Sequence, residues 1–505
     1  MMNESNQVVE MKVELSSAEE QRLQKRRGLI YQMIMSLFAN VSILGPAMSL
    51  GYSAVILPTL RSGESDLTVD ENQASWIAGA AAFGTPIGCI LSSFIMRRGR
   101  RLSLMVTSTF SLIGWLLIYM APNYEKLVVG RVVSGVATGL ASVPATVYTA
   151  EIATPAWRST MVTWSSISIA LGILLVYVFG YIIQDNWRLI ALMCSLFPTV
   201  AIILIILAIP ESPIWLRNKG RLDEARVVMK KFRGVPKNHS ITVEIEKELY
   251  NSQNNINNSE KRSLLKHLTK TSSLKPFFIM LAYFFFQQFS GIFVVVFYAV
   301  DITAEAGIKM DAYLGAILIG ITRLAGSILV ACASKKWGRR IPSIASGIGM
   351  TLCMGILSIY LFLVNRGHFI GDRGLIPAIC VLVYIFMSTI GFLTLPFAMV
   401  GEIFPVKVKD ILSGISTCAA YIFSFITVKS YPDMLNSMGK HGVFLFYALA
   451  SLAGTIFVIF CLPETKGKTL HEIDELFSKK RRFTLQIQEE KEKMFPPKDS
   501  TTDGV

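Results

Sequence analysis

The sequence predicts an all-α polytopic membrane protein: twelve transmembrane helices in two pseudo-symmetric six-helix halves. Three observations carry that prediction. Apolar residues gather into runs of about 20 or more, each long enough to cross a ~30 Å hydrocarbon layer, and roughly twelve such runs follow one another. Lysine and arginine crowd into alternate loops. The motifs of the first half recur, in order, in the second. With 52% of its 505 residues hydrophobic and only 17% charged, the chain is too apolar for a soluble protein of that length.

The net charge of +14 would suit a nucleic-acid partner, but its distribution argues against one. The cations lie in the N-terminal tail, the 97–101 loop, the 216–275 loop and the C-terminal tail, whereas the intervening loops, such as 61–72, are short and tend acidic. That is the positive-inside pattern, and it places both termini in the cytoplasm. All seven cysteines (Cys89, Cys194, Cys332, Cys353, Cys380, Cys418, Cys461) fall in predicted spans without CxxC or Cys/His spacing, so packing roles are expected, with no disulfide, metal or cofactor. About thirty polar residues precede the first apolar run, which is too long for an h-region, so no cleavable leader is expected. The sequons at Asn238 and Asn257 sit in a loop assigned to the cytoplasm and are expected to stay unglycosylated.

In chain order, residues 1–30 form a polar tail ending in Lys25, Arg26 and Arg27. The first half covers 31–209, with a first span near Met33–Leu57 and break points expected at Gly45–Pro46 and Gly51. Spans two and three flank Arg97–Arg101; span four carries Gly135 and Gly139 at four-residue spacing, a close-packing face. Spans five and six cover about 159–184 and 187–208. A charged linker (210–275) follows, with helical spacing over Leu222–Phe232 and Val243–Leu249 and a flexible Asn/Ser-rich stretch at 251–259. The second half (276–462) supplies spans near 276–300, 312–334, 341–364, 374–400, 411–430 and 441–462. A charged tail (463–505) ends the chain, with a short helix expected over His471–Arg482.

The repeat is specific. Gly99 in an RRGRR loop answers to Gly338 in KKWGRR, Glu151 with Arg158 to Glu402 with Lys409, and Glu211 in PES to Glu464 in PET. Duplicated six-span halves are the architecture of alternating-access transporters, with solute bound between them near the midplane. Gln287 and Gln288, in Gln-Gln-Phe-Ser-Gly-Ile, place two carboxamides in an apolar span, which costs ~1–3 kcal/mol per unpaired group and so suggests the wall of a solute pathway.

These motifs — GRR at 99–101 and 338–340, GR at 130–131, Tyr148 with Glu151 and Arg158, PESP at 210–213, QQFSGI at 287–292 and PETKGKTL at 463–470 — resemble the sugar porter family of the major facilitator superfamily from Gly51 to Phe477, and within it most resemble insect facilitated trehalose transporters. The resemblance implies a uniporter of trehalose or a hexose in a plasma membrane, and not an enzyme. It assigns sugar contacts to Gln287 and Gln288 and an aromatic gate to Phe297 and Tyr298. It also implies a conformational latch: Arg100, Arg101, Glu151, Arg158 and Glu211 at the inner ends of the first half, and Arg339, Arg340, Glu402, Lys409 and Glu464 in the second, closed in an outward-open state and broken when the halves rock.

The departures from that pattern are informative. Met96 and Lys335 replace the acid that opens each GRR loop, and Lys409 keeps charge but loses the arginine fork. In the expected substrate site, Phe293 replaces an asparagine, Ser166 a glutamine and Phe397 a tryptophan. Arg323 stands mid-span where an asparagine is frequent, with no acid deep in the second-half spans to neutralise it. Ser53 follows Gly51-Tyr52 where proton-driven relatives carry an acid, which favours uniport. Two other readings remain: a facilitator of another small solute, such as an organic anion selected by Arg323, and a non-transporting sugar sensor. Five scattered histidines and no nucleophile–base spacing argue against catalysis. No oligomerisation signal appears, so a monomer embedded in the bilayer is expected.

Overall fold

The computed structural model describes residues 2–63, 65–235, 271–305, 311–333, 338–367, 374–400, 402–405 and 408–464, with the backbone alone at 2–21, 271–272, 305, 333 and 409–410. Helix α1 (Met2–Arg61) is followed by α2 (Glu71–Met96) and α3 (Arg100–Tyr119). The fourth crossing is stepped, α4 (Tyr124–Ala141) then α5 (Pro144–Ile152), as is the fifth, α6 (Pro155–Val162) then α7 (Trp164–Ile182). Helices α5 and α6 each open on a proline, whose missing N–H is tolerated at a helix start. Helix α8 (Trp187–Leu207) leads into α9 (Pro213–Asn218) and α10 (Leu222–Arg233).

The second half begins with a broken crossing, α11 (Thr271–Phe289), α12 (Ile292–Phe297) and α13 (Ala299–Glu305). Then come α14 (Ala312–Ala333), α15 (Arg340–Asn365), the interrupted pair α16 (Leu375–Ile390) and α17 (Leu395–Val400), and α18 (Lys409–Cys461). Among the described residues ten helical segments are long and apolar enough to span a bilayer. The broken α11–α13 adds a crossing. The 53-residue α18 holds two, parted at Gly439 (φ 70°). Together these make the twelve crossings expected from the sequence. Phe94, Ile359 and Leu449, each more than half exposed on the bundle's flanks, are at home only where the surrounding solvent is hydrocarbon.

Close backbone approach organises the first half. Gly135 and Gly139 lie on carbonyl oxygens of α2, those of Ala81 and Thr85, so that a Cβ at either position would press into them. This is the close-packing face expected from their spacing. The expected breaks in the first span are absent: α1 runs unbroken through Pro46. Donors from neighbouring helices engage the backbone there, Trp115 Nε1 on Gly45 O at 3.2 Å and Thr138 Oγ1 on Pro46 O at 3.2 Å, and tie α1 to α3 and α4. The linker helix forms at Leu222–Arg233 and docks on α1, with Gln32 donating to Phe232 O at 2.6 Å while its own carbonyl accepts from Thr154 N at 2.9 Å. The expected helices at 243–249 and 471–482 and both sequons lie outside the described residues.

Gly139→Val is expected to force α2 and α4 apart and cost about 1–3 kcal/mol, read as a lower melting temperature of the purified protein; unchanged melting would show that the two backbones have room to spare.

Candidate functional site

The seventh crossing breaks at Ser290–Gly291, where Gly291 takes φ 87° with the Tyr447 ring 2.7 Å from the place a Cβ would occupy. Only glycine suits that left-handed, crowded position. The tenth crossing breaks at Gly391–Thr394, between α16 and α17. Each break exposes backbone groups, and each is satisfied by the other. Gln287 Nε2 donates to Phe392 O at 2.7 Å and Leu393 O at 3.0 Å, while Tyr384 OH donates to Ser290 O at 2.6 Å. Ser346 Oγ holds Phe392 N at 3.1 Å from α15. All of these side chains are buried.

The glutamine pair therefore divides its labour. Gln287 spends its donors on the backbone of the tenth crossing. Gln288, also fully buried, is joined to Gln287 Oε1 by a long 3.4 Å contact, and its Oε1 has no hydrogen-bond partner among the described residues. It is the uncommitted member.

Arg323, on α14, is 5% exposed, and its Nη1 likewise lacks a partner. Its electrostatic neighbour is Tyr177 of α7, whose hydroxyl donates to Val296 O at 2.7 Å. No carboxylate pairs with Arg323 among the described residues, and its burial excludes snorkelling to an interface. Phe293 is buried in α12. Tyr298 donates to Val428 O at 3.4 Å with its ring 4.8 Å from that of Tyr431, which sets it against the last helix. Phe397 is half-buried, edge-on to Phe284 at 5.1 Å; Ser166 is half-buried on α7.

Arg131, named in the sequence only as part of the GR motif at 130–131 and given no role there, is a structural centre of the first half. Fully buried on α4, it donates to Ile77 O (3.2 Å), Ser49 O (2.8 Å), Ser49 Oγ (3.1 Å) and Ser53 Oγ, with the Tyr52 ring 5.7 Å away. The signal was present in the chain: an arginine inside a span must have acceptors supplied by its neighbours.

The charged residues at the basic end assemble into two clusters of one design. In the first, Arg100 forks onto Glu151 (Nη2–Oε1 2.7 Å, Nε to both oxygens at 3.0–3.1 Å), and Glu211 accepts from the backbone N–H of Arg100 (2.8 Å) and Arg101 (3.1 Å) at the N-terminus of α3. Arg101 binds Ile205 O and Ile206 O at the end of α8 (3.2 and 2.7 Å). In the second, Arg339 forks onto Glu402 (2.8 and 3.2 Å), Glu464 accepts from the N–H groups of Arg339 (2.9 Å) and Arg340 (3.0 Å), and Arg340 reaches Ile459 O. Anions thus sit at helix N-termini and cations at C-termini, as the helix dipoles favour.

Three features correct the expected latch. Arg158 is exposed and stands outside the first cluster, making no ion pair with a described residue. Met96 contributes its carbonyl to Arg100 (3.0 Å), so the missing acid is replaced by a backbone acceptor. None of these bonds joins the first half to the second. The side chains of Lys409 and Lys335 lie outside the described residues.

Residues 12–477 match the sequence model of the family described as sugar (and other) transporters. A facilitated trehalose transporter Tret1-2 homolog of Drosophila simulans is 33% identical over 407 residues, covering 80% of this chain and 82% of that protein. Tret1 of Polypedilum vanderplanki is 31% identical over 451 residues, covering 88% of each. The chain spans about half the length of other curated relatives, 47% for Tret1 of Drosophila grimshawi. Among solved structures, the proton:xylose symporter XylE bound to 6-bromo-6-deoxy-D-glucose superposes with TM-score 0.72 at 21% identity, covering 89% of this chain and 99% of that one; inward-open XylE from E. coli gives 0.71 at 21%, covering 88% and 100%. These structures share the fold.

Gln287→Leu is expected to destabilise the protein by about 1–3 kcal/mol for the acceptors it strands, and Gln288→Leu by less, since its carbonyl oxygen has no partner to lose. Equal melting temperatures for the two variants would contradict this division.

Proposed function

The chain belongs to the sugar (and other) transporter family, and we propose that it is a facilitative, uncoupled transporter of trehalose or a hexose, working by alternating access of two six-helix halves (31–209 and 276–462) joined by the linker 210–275. The carrying observation is the pair of uncommitted polar groups in the second half, Gln288 Oε1 and Arg323 Nη1. Hydrogen-bonding capacity held in a membrane interior without a partner is costly unless a polar solute completes it. A carboxamide offers donors and an acceptor, and a guanidinium offers donors, which together suit a polyol. Phe293, Tyr298, Phe397 and Ser166 are assigned to the walls of the same site, and the two charge clusters to bracing the inner ends.

Uncoupled transport is supported at Ser53. Where proton-driven relatives carry an acid, this chain presents a hydroxyl already engaged by Arg131, and among the described residues no carboxylate pairs with that guanidinium. The basic loops support placing the tails 1–30 and 463–505 in the cytoplasm, and the family resemblance supports a plasma membrane, with a monomer as the form expected for the fold. The names of the relatives favour trehalose. One observation favours a second reading: Arg323 lacks a counter-charge, which would suit an anionic solute.

The test is uptake by purified protein in liposomes, with radiolabelled trehalose, glucose and a panel of organic anions in the absence of ion gradients. Saturable sugar entry, reduced by Gln288→Ala and by Arg323→Ala, is expected; anion entry alone would reverse the choice of substrate. An imposed proton gradient is expected to leave sugar uptake unchanged, and acceleration would refute uniport. Glu151→Gln removes a charge-assisted fork worth about 1.5–3 kcal/mol and is expected to lower flux about tenfold with normal surface delivery; unchanged flux would remove the clusters from the mechanism.

A further inference from the structure

The halves touch along three lines: α2 against α18, α7 against α14, and α1 against α12 and α13. The polar bonds that cross between described residues of the two halves gather at the end away from the basic loops. Arg61, the last residue of α1, pairs with Asp301 of α13 at 3.1 Å, and both side chains are largely shielded, 30% and 14% exposed. Beside them Tyr313 OH lies 3.3 Å from Thr59 Oγ1 and donates to Val55 O at 3.4 Å. Along the α2–α18 line Lys429 Nζ of α18 donates to Ser75 Oγ (2.7 Å) and Asn72 Oδ1 (3.2 Å) and stands 5.2 Å from the Trp76 ring centroid. Asn436 Nδ2 adds a bond to Glu71 Oε2 at 3.1 Å. Deeper crossings are sparse: Tyr177 to Val296 O, and a weak thiol contact from Cys418 to Pro86 O at 3.6 Å.

The placement of the two cations is telling. In a chain whose Lys and Arg gather at the other end, Arg61 and Lys429 run against the charge bias, and each is held by groups from the opposite half. Lys429, half-buried in α18, meets the Trp76 indole and two polar side chains of α2 together, so three groups of the opposite half converge on one cation. The two contacts use different helix pairs, α1 with α13 and α2 with α18, so separating the halves at this end requires breaking both.

We propose that Arg61–Asp301 and Lys429–Ser75/Asn72/Trp76 form a two-point clasp that holds the outer mouth closed and sets how much of the empty carrier faces outward. The proposal rests on the alternating-access reading above. Breaking the clasp releases the outer mouth while leaving both inner charge clusters whole, because neither shares a residue with it. The fraction of carrier facing outward then rises. Outside sugar meets more competent carrier and its apparent affinity improves in proportion, while inside sugar meets less.

The test uses the purified full-length chain and four variants: Arg61→Gln, Asp301→Asn, Lys429→Met, and the exchanged pair Arg61→Asp with Asp301→Arg. Backbone hydrogen exchange is expected to quicken in segments 55–61, 71–76 and 425–436 of each single variant, stay unchanged around 97–101 and 338–340, and return towards wild type in the exchanged pair. In liposomes the half-saturation for outside sugar is expected to fall several-fold and that for inside sugar to rise. Unchanged exchange at the outer segments in both Asp301→Asn and Lys429→Met, or equal half-saturations on both faces in all variants, would overturn the clasp. A wild-type chain that moves no sugar defeats the substrate reading alone, and hydrogen exchange then decides the clasp.

Discussion

The second half of this protein depends on one reciprocal bond set: Gln287 of the seventh crossing holds the carbonyls of Phe392 and Leu393, and Tyr384 of the tenth holds the carbonyl of Ser290. A helix broken inside hydrocarbon strands backbone groups that water cannot reach, so a break survives only where protein supplies the partners. Here two breaks supply each other. That exchange frees Gly291 to take its left-handed turn under Tyr447, and it fixes where α12 begins and hence where Phe293 and Tyr298 lie. It also leaves Gln288, one residue along the same helix, without backbone to bind.

The two halves repeat each other at the basic end and diverge within the membrane. Both charge clusters follow one plan, an arginine–glutamate fork beside a carboxylate seated on a helix N-terminus. Inside the bilayer the first half holds Arg131 with backbone and serine acceptors, a closed arrangement with its bonding used up. The second half holds Arg323 and Gln288 with polar atoms unspent. The two membrane-embedded arginines thus differ in kind: the guanidinium of Arg131 is met by acceptors, whereas Nη1 of Arg323 is not.

Much of this was legible in the chain. Span positions follow from apolar runs, and the described helices fall close to them because length and hydropathy are what a bilayer selects. The close packing at Gly135 and Gly139, the linker helix at 222–233 and the repeated clusters were equally plain. What the sequence hid were choices among partners. A glutamine pair reads the same whether it binds solute or backbone, and only the geometry assigns Gln287 to Phe392. Gly45–Pro46 reads as a break, yet α1 runs through it, packed by Trp115 and Thr138 of the neighbouring helices. Arg158 reads as a member of its cluster because it follows Glu151 at the family's spacing, whereas Glu151 is already taken by Arg100.

The energetics of rocking follow from where the bonds are. The described bonds of each charge cluster lie on one side of the interface and brace the inner end of that half. The polar bonds that cross between described residues of the two halves are few. That economy has a physical reason. The uncoupled carrier proposed above would have no external source of free energy to open a tightly sealed mouth, and would have to keep its inward- and outward-facing states within a few kcal/mol or lose one direction of access. Two contacts on different helix pairs would be enough to tilt such a balance and too few to freeze it. Inserting a continuous seam of ion pairs along α2 and α18 would make a stiffer protein and a slower carrier.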